Sequence, residues 1–176
     1  MPQYTRPTAD QYNAYYQVYL DQVPADVTNI LKHLKMQGLE VLTLLRSLDD
    51  AAAEYRYEPD KWSIKELVGH LIDTERLFAF RALWFARGEP NEQAGMDENL
   101  WGANSNAHTR PLADLWREQH VCRTDHVYLF RSLAQEDIDR KGSANGSVMT
   151  ARAIPWLIAG HERHHLNVLR DRYGVG

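Results

Sequence analysis

Four stretches of the sequence carry apolar residues at helical spacing, and residues that start or stop helices separate them. The predicted helices cover residues 23–48, 62–87, 109–133 and 150–173. At ~1.5 Å per residue, each is roughly 35 to 40 Å long. Helices of matched length that bury one face pack well against one another, so we predict an all-α chain that forms a four-helix bundle.

The predicted helix boundaries carry specific signals. Ser63 and Glu66 form a capping-box pattern at the start of the second helix, and Gly88 follows its end. Pro24 stands at the start of the first helix, where a proline costs little. Pro155 falls near the start of the last helix, and we expect it to bend the first turns.

The segments outside these helices are short, with two exceptions. Residues 89–108 form a polar loop between the second and third helices, which is long for a bundle connection. Residues 1–22 contain five tyrosines and are predicted to pack as an arm on the bundle surface. Because no repeat or flexible linker divides the chain, we predict a single domain over 1–176.

Charge and composition narrow the classes of partner. Lys and Arg number 20 against 24 Asp and Glu, and a net charge of -4 has the wrong sign for binding a phosphate backbone. The single cysteine, Cys122, permits no internal disulfide and fits a reducing compartment. Neither a signal peptide nor a run of ~18 apolar residues is found. We therefore expect a cytoplasmic protein that binds neither nucleic acid nor membranes.

Two histidines of the last helix face the predicted core. At about 100° per residue, His161 and His165 lie near the centre of the apolar stripe, whereas His164 lies at its edge. Imidazoles at i and i+4 bring two nitrogens within reach of one ion, although two hydrogen-bonded core histidines remain an alternative. His70 is central on the inward stripe of the second helix. We predict that it is the third metal ligand.

Three charged residues accompany His70 on the second helix. Asp73 and Glu66 lie one turn away at the edge of its stripe, where a carboxylate either orients an imidazole or is simply solvated. Arg81 lies on the same stripe. We expect its side chain to extend outward to solvent rather than to be buried near the site.

Polar residues interrupt the inward side of the third helix. Gln119, Arg123 and His126 either line a wet cavity above the metal, where they bind a cofactor or substrate, or mark a helix that its neighbours cover only partly. Cys122 lies at the margin of this side and is expected to act as a small buried hydrophobic residue.

The string from His161 to His165 also reads H-E-x-x-H, in which Glu162 would be the general base of a zinc metallopeptidase. Many such peptidases take their third ligand from further along the chain. The eleven residues after His165 contain neither His nor Glu, and Asp171 is their one carboxylate. The peptidase is therefore a minor alternative.

Several segments together resemble the DinB/YfiT-like superfamily. They are residues 61–66, 69–76, 81–83 and 158–166. The resemblance implies a four-helix bundle in which one histidine of the second helix and an i, i+4 pair of the last bind a divalent metal, commonly nickel or zinc. His70, His161 and His165 match these positions.

Several proteins of that superfamily are, or are proposed to be, S-transferases that use a low-molecular-weight thiol such as bacillithiol or mycothiol. The resemblance implies a metal-dependent transferase or hydrolase of small electrophilic substrates, and a homodimer. Three imidazoles leave open positions on an ion for water or a thiolate. A non-catalytic, stress-related metal-binding protein and a module that binds no ion are the alternatives. The sequence has no Gly-rich phosphate cradle, so a nucleotide cofactor is not supported.

Overall fold

Four long helices dominate the computed structural model, which describes residues 2–176. They are α2 (Ile30–Arg46), α4 (Ile64–Ala86), α6 (Leu112–Ser132) and α8 (Ile154–Tyr173). The shorter helices are α1 (Gln17–Leu20), α3 (Asp50–Ala53), α5 (Glu98–Asn104) and α7 (Gln135–Ile138). Single 3-10 turns cover Ala9–Gln11, Ala14–Tyr16 and Ala107–Thr109. Within residues 2–176, no helix is both long and apolar enough to cross a membrane.

The four long helices form a bundle, as predicted. Helix α2 packs mainly against α6 and α8, and α4 packs mainly against the same two helices. Helices α2 and α4 therefore lie on one diagonal of the bundle, and α6 and α8 lie on the other. This arrangement places α4 next to α8, the two helices that carry the predicted metal ligands.

Two predicted helix starts are too early. Helix α2 begins at Ile30 instead of near residue 23, because the Asn29 side chain accepts a hydrogen bond from the Lys32 amide and caps the helix there. Pro24 lies in the turn before it. Helix α8 begins at Ile154, so Pro155 stands in the first turn, where its missing N–H leaves no helical hydrogen bond unmade and no bend is required.

A small β-hairpin is the main departure from the all-α prediction. Strands β1 (Lys141–Ala144) and β2 (Ser147–Thr150) pair antiparallel, with Ala144 opposite Ser147. Asn145 and Gly146 form the two-residue turn with positive φ angles of 51° and 69°. An Asn-Gly dipeptide is the strongest short-range signal for such a turn, and it was present in the sequence.

The predicted loop over 89–108 contains the short helix α5. Its cap is Asp97, whose side chain accepts hydrogen bonds from the amides of Asn99 and Leu100.

The N-terminal arm contributes to the core. Tyr4 is buried, and its hydroxyl donates to the Phe130 carbonyl at 2.9 Å.

Two apolar clusters fill the bundle, one on each side of a polar layer. The first cluster includes Leu34, Phe78, Phe130 and Ile158. The second includes Val41, Ile72, Leu115 and Leu166. Between them, each long helix contributes buried polar residues, namely Gln37 on α2, Glu75 on α4, Gln119 and Arg123 on α6, and Glu162 on α8. The predicted metal ligands lie at the edge of this layer.

Candidate metal centre

Three imidazoles from two helices converge on one point, as the sequence predicts. The Nε2 atoms of His70 and His161 are 3.2 Å apart, and those of His165 and His161 are also 3.2 Å apart. The ligand atoms of all three residues lie within 4.8 Å of one another. We refer to His70, His161 and His165 as the histidine cluster.

The cluster cannot satisfy its own nitrogens by hydrogen bonding. An imidazole nitrogen either donates one hydrogen or accepts with one lone pair, so His161 Nε2 can make a full hydrogen bond to only one of its two neighbours. A single cation held between the nitrogens would use all three lone pairs at once. The arrangement of the donor atoms therefore fits a metal ion.

Burial keeps these imidazoles neutral, which is the form that binds metals. Burial lowers the pKa of His70 to about 4. The pKa of His161 is lowered to about 3, mainly by burial and to a smaller extent by the neighbouring His70 and His164. Burial also holds the pKa of His165 well below its ordinary value. At neutral pH, all three residues offer lone pairs.

Three side chains that the sequence analysis did not identify hold the rings in place. Thr74 Oγ1 is 3.4 Å from His70 Nδ1, and the Trp62 ring lies 4.7 Å from the His70 ring. Tyr19 of the arm packs edge-on against His161, with 5.3 Å between ring centroids. The position of Thr74, one helical turn after His70 on the same stripe, was the signal that could have identified it.

Gly160 lets the arm approach the histidine cluster. A Cβ atom at this position would stand 1.9 Å from the carbonyl oxygen of Tyr19. Only glycine therefore allows α1 to pack this closely on α8, and this contact brings the Tyr19 ring over His161.

Asp73 and Glu66 each pair with an arginine rather than with an imidazole of the histidine cluster, and His164 packs beside the cluster. Asp73 lies 3.9 Å from Arg76, and Glu66 pairs with Arg56 while it caps the start of α4. His164 is half-buried and packs on Tyr19 instead of joining the group of converging nitrogens.

A cavity of about 350 Å³ reaches two of the three histidines. Its lining combines the arm, α4, the segment before α5 and the β-hairpin, and it includes His70, His161, Tyr16, Arg81 and Asn145. A second cavity of about 270 Å³ reaches His165 from the other side. The histidine cluster is thus accessible to small molecules although its nitrogens are largely buried.

The polar residues of α6 face carboxylates of α4 and α8 instead of the 350 Å³ cavity. Gln119 donates to Glu162 at 2.8 Å, and Arg123 donates to Glu162 at 2.9 Å and to both carboxylate oxygens of Glu75 at 2.8 and 2.9 Å. His126 Nδ1 is 3.2 Å from Glu75. We refer to these five residues as the arginine layer. The predicted cofactor ligands Gln119, Arg123 and His126 are therefore engaged by carboxylates of the protein, and the 350 Å³ cavity is lined by other residues.

The two carboxyl groups of the arginine layer are shifted in opposite directions. Burial raises the pKa of Glu75, but Arg123 and His126 outweigh this effect and bring it to about 2. Burial raises the pKa of Glu162, and Arg123 offsets this only in part. Burial also raises the pKa of the Cys122 thiol to about 12, which fits its predicted role as a buried hydrophobic residue.

Arg81 is buried, and the expectation that it extends to solvent is wrong. It is 4% exposed, because Tyr16 of the arm and the segment at Ala94 cover it. Its Nη2 donates to the Ala94 carbonyl at 3.1 Å, whereas its Nε is buried without a partner among residues 2–176.

Comparison with known proteins agrees with this fold. The sequence model of the DinB superfamily matches residues 33–169. YfiT from Bacillus subtilis, a probable metal-dependent hydrolase with an unusual four-helix bundle topology, superposes with a TM-score of 0.72 over 97% of this chain and 94% of its own, at 15% identity. A mycothiol-dependent maleylpyruvate isomerase superposes with a TM-score of 0.67 over 89% of this chain and 63% of its own, at 14% identity. Curated proteins give no significant match to the sequence.

Proposed function

The chain belongs to the DinB superfamily, and from this premise we propose that it is a metal-dependent enzyme in which His70, His161 and His165 hold one divalent cation. The observation that carries the proposal is the convergence of three Nε2 atoms beside a cavity. The family match supports the sequence resemblance from which the same three ligands were predicted.

The chemistry follows from the donor set. A cation with three neutral histidine ligands would keep open positions, at which it would lower the pKa of a bound water or thiol toward neutrality. The side chains of this chain supply the rest. Thr74 Oγ1 accepts a hydrogen bond from the Nδ1–H of His70 when Nε2 is the ligand atom, and Trp62 and Tyr19 fix the planes of the rings. Zinc and nickel both suit imidazole ligands.

The cavity favours catalysis over a purely structural metal. An ion that only joined α4 to α8 would need no space beside it, whereas about 350 Å³ opens next to His70 and His161. We propose hydrolysis or thiol transfer on a small electrophilic substrate, with the attacking water or low-molecular-weight thiol entering through this cavity. The homodimer and the cytoplasmic location stay predictions.

The metallopeptidase alternative has less support. Its general base would be Glu162, but both Arg123 and Gln119 donate hydrogen bonds to the Oε1 atom of this carboxylate. Within residues 2–176 the other oxygen, Oε2, has no partner, but it is buried and Glu162 does not line the 350 Å³ cavity, so this carboxylate is poorly placed to take a proton from water there. The third imidazole comes from His70, far upstream on another helix, which fits the bundle rather than the peptidase pattern.

The decisive experiment compares metal forms of one protein. Metal-free protein is loaded with zinc, nickel or manganese and assayed against a panel of small esters, amides and electrophiles, with and without added thiol. We expect a rate that depends on the metal, and we expect it to be lost in His161→Ala. His164→Ala is the matched control, because His164 lies beside the cluster without sharing its converging nitrogens.

Two results would contradict the proposal. Equal rates for the metal-free and metal-loaded protein would show that the ion has no part in the reaction. A tightly bound ion without any rate across the panel would support the non-catalytic alternative, and in that case removal of the metal should lower the melting temperature as its main effect.

A further inference from the structure

Arg81 is a buried cation that the proposed metal chemistry does not use. It lines the 350 Å³ cavity together with His70 and His161. Its Nε has no hydrogen-bond partner, and within residues 2–176 no carboxylate pairs with it. A buried guanidinium without a counter-charge is costly, and such groups are normally paired. The missing partner is therefore expected to come from a ligand.

The charges that face Arg81 do not supply this partner. Glu98 is the one acidic residue on the cavity lining, and its side chain is exposed. Its charge acts on Tyr19, whereas Tyr16 is the one group that raises the pKa of Arg81 against the lowering effect of burial. The cavity thus has a positive end at Arg81 and a neutral, metal-binding end at the histidine cluster.

We propose that Arg81 binds the carboxylate of a small substrate whose other end reaches the histidine cluster. This inference rests on the proposed function, because the histidine cluster must hold the reacting group. A planar guanidinium binds a carboxylate through two parallel hydrogen bonds, which fixes both the position and the direction of the ligand.

The distance between the two ends limits the size of the ligand. The Phe78 ring centroid is 5.9 Å from Arg81 Cζ and 6.4 Å from the His161 ring centroid, so the two ends are at most about 12 Å apart. Leu77 and Phe78 line the cavity between them. The substrate class is therefore a monocarboxylate with a short apolar middle and an electrophilic or thiol group at its far end.

The test uses two probes of equal length. The zinc-loaded protein is titrated by calorimetry with ω-mercaptohexanoate and with ω-mercaptohexanol, which differ only at the end expected to reach Arg81. We expect the wild type to bind the acid about tenfold to a hundredfold more tightly than the alcohol. Arg81→Gln should remove this preference and leave the affinity for the alcohol unchanged. Arg87→Gln, at the exposed end of the same helix, is the control that should keep the preference.

Further measurements separate the possible failures. Metal-free wild type should bind hexanoate more tightly than Arg81→Gln does, so the carboxylate site is tested even when neither thiol binds the zinc form. Since Arg81 is an unpaired buried charge, Arg81→Gln should also leave the melting temperature unchanged or higher. Equal preference for the acid in wild type and Arg81→Gln, or a lower melting temperature with no change in preference, would overturn the proposal and leave Arg81 as a brace for the Ala94 segment.

Discussion

Two polar groups of side chains share the interior of the bundle, and they differ in whether the protein itself supplies the cation that their acceptors face. In the arginine layer, Arg123 donates to Glu75, to Glu162 and to the carbonyl of Leu34, so opposite charges meet within the protein. In the histidine cluster, three neutral nitrogens face one another and lack sufficient donors. The first group pairs its central cation within the protein, although Gln119 Oε1 and Glu162 Oε2 have no hydrogen-bond partner within residues 2–176. The second group needs a bound cation to use its three converging lone pairs.

This comparison separates structure from function inside one core. Both groups contain residue types that bind metals, and Glu75, Cys122 and His126 also lie close enough to share an ion. The Arg123 guanidinium already neutralises Glu75, however. Burial raises the pKa of the Cys122 thiol to about 12, so the thiol keeps its proton at neutral pH. A metal held by Glu75, Cys122 and His126 would have to displace the Arg123 guanidinium and the proton of the Cys122 thiol, so we assign the ion to the histidines.

Removal of the central cation of the arginine layer should have the largest effect. Arg123→Met leaves Glu75 and Glu162 buried without their partner, and we expect a loss of about 3–5 kcal/mol of unfolding free energy in urea denaturation. Arg76→Met removes an exposed pair with Glu118 and should cost less than about 1 kcal/mol. Similar losses in the two variants would contradict the role given to the arginine layer.

Acid should distinguish the two groups by the pH range in which each weakens the metal-free protein. The pKa of His70 is lower in the folded protein, about 4 against 6.5, so the unfolded chain binds more protons below pH 6.5 and stability falls as the pH drops from 6.5 toward 4. For Glu75 the values are about 2 against 4.5, so its contribution is lost only below pH 4.5.

Urea denaturation across this pH range checks the assignment. Each proton contributes a slope of about 1.4 kcal/mol per pH unit. His70→Gln should lower the slope between about pH 6 and 5 by the contribution of one proton, because His161 and His165 still take up protons on unfolding. Glu75→Gln should leave the slope in that range as it is in the wild type. A slope that changes in Glu75→Gln but not in His70→Gln would contradict the prediction, because it would assign the loss of stability in this range to Glu75.

A methyl group at Gly160 should disturb the histidine cluster from outside. Gly160→Ala places a Cβ against the Tyr19 carbonyl, and we expect about 1–3 kcal/mol of destabilisation together with weaker zinc binding, because Tyr19 packs on His161. Gly38→Ala is the control. Its Cβ would meet the Arg123 side chain at 3.1 Å, so it should cost less and leave zinc binding unchanged. Unchanged zinc affinity in Gly160→Ala would show that the arm does not support the cluster.

The smallest change in the stability of the metal-free protein is expected at the cluster itself. His165→Asn removes a neutral side chain whose Nδ1 has no partner, so we expect a change of less than about 1 kcal/mol. Zinc should raise the melting temperature of the wild type and of His164→Asn but not of His165→Asn. A large loss of stability in metal-free His165→Asn would mean that the cluster is structural.

The histidine cluster could be predicted because it depends on helical phase. The i, i+4 spacing of His161 and His165 and the central position of His70 on its stripe fix their directions once the helices form. The sequence predicted only one side of the arginine layer. Phase shows that Gln119 and Arg123 point inward, but their carboxylate partners follow from the diagonal arrangement of the helices, which no local pattern encodes.

The remaining differences involve short elements and distant contacts. The hairpin has strands of four residues, so its alternation is too brief to detect, and only the Asn-Gly turn marks it. The burial of Arg81 depends on Tyr16 in the arm and on the segment at Ala94. Both lie far from Arg81 along the helix pattern, so its position on the inward stripe could not show that they cover it. The tendency of long charged side chains to reach solvent favoured exposure instead.

The central claim is that the ion belongs to the histidine cluster and not to Glu75, Cys122 and His126. Calorimetric titration of metal-free protein with zinc tests it directly. We predict one zinc ion per chain in the wild type and in Cys122→Ser, and none in His161→Ala. Retained binding in His161→Ala together with its loss in Cys122→Ser would contradict the claim.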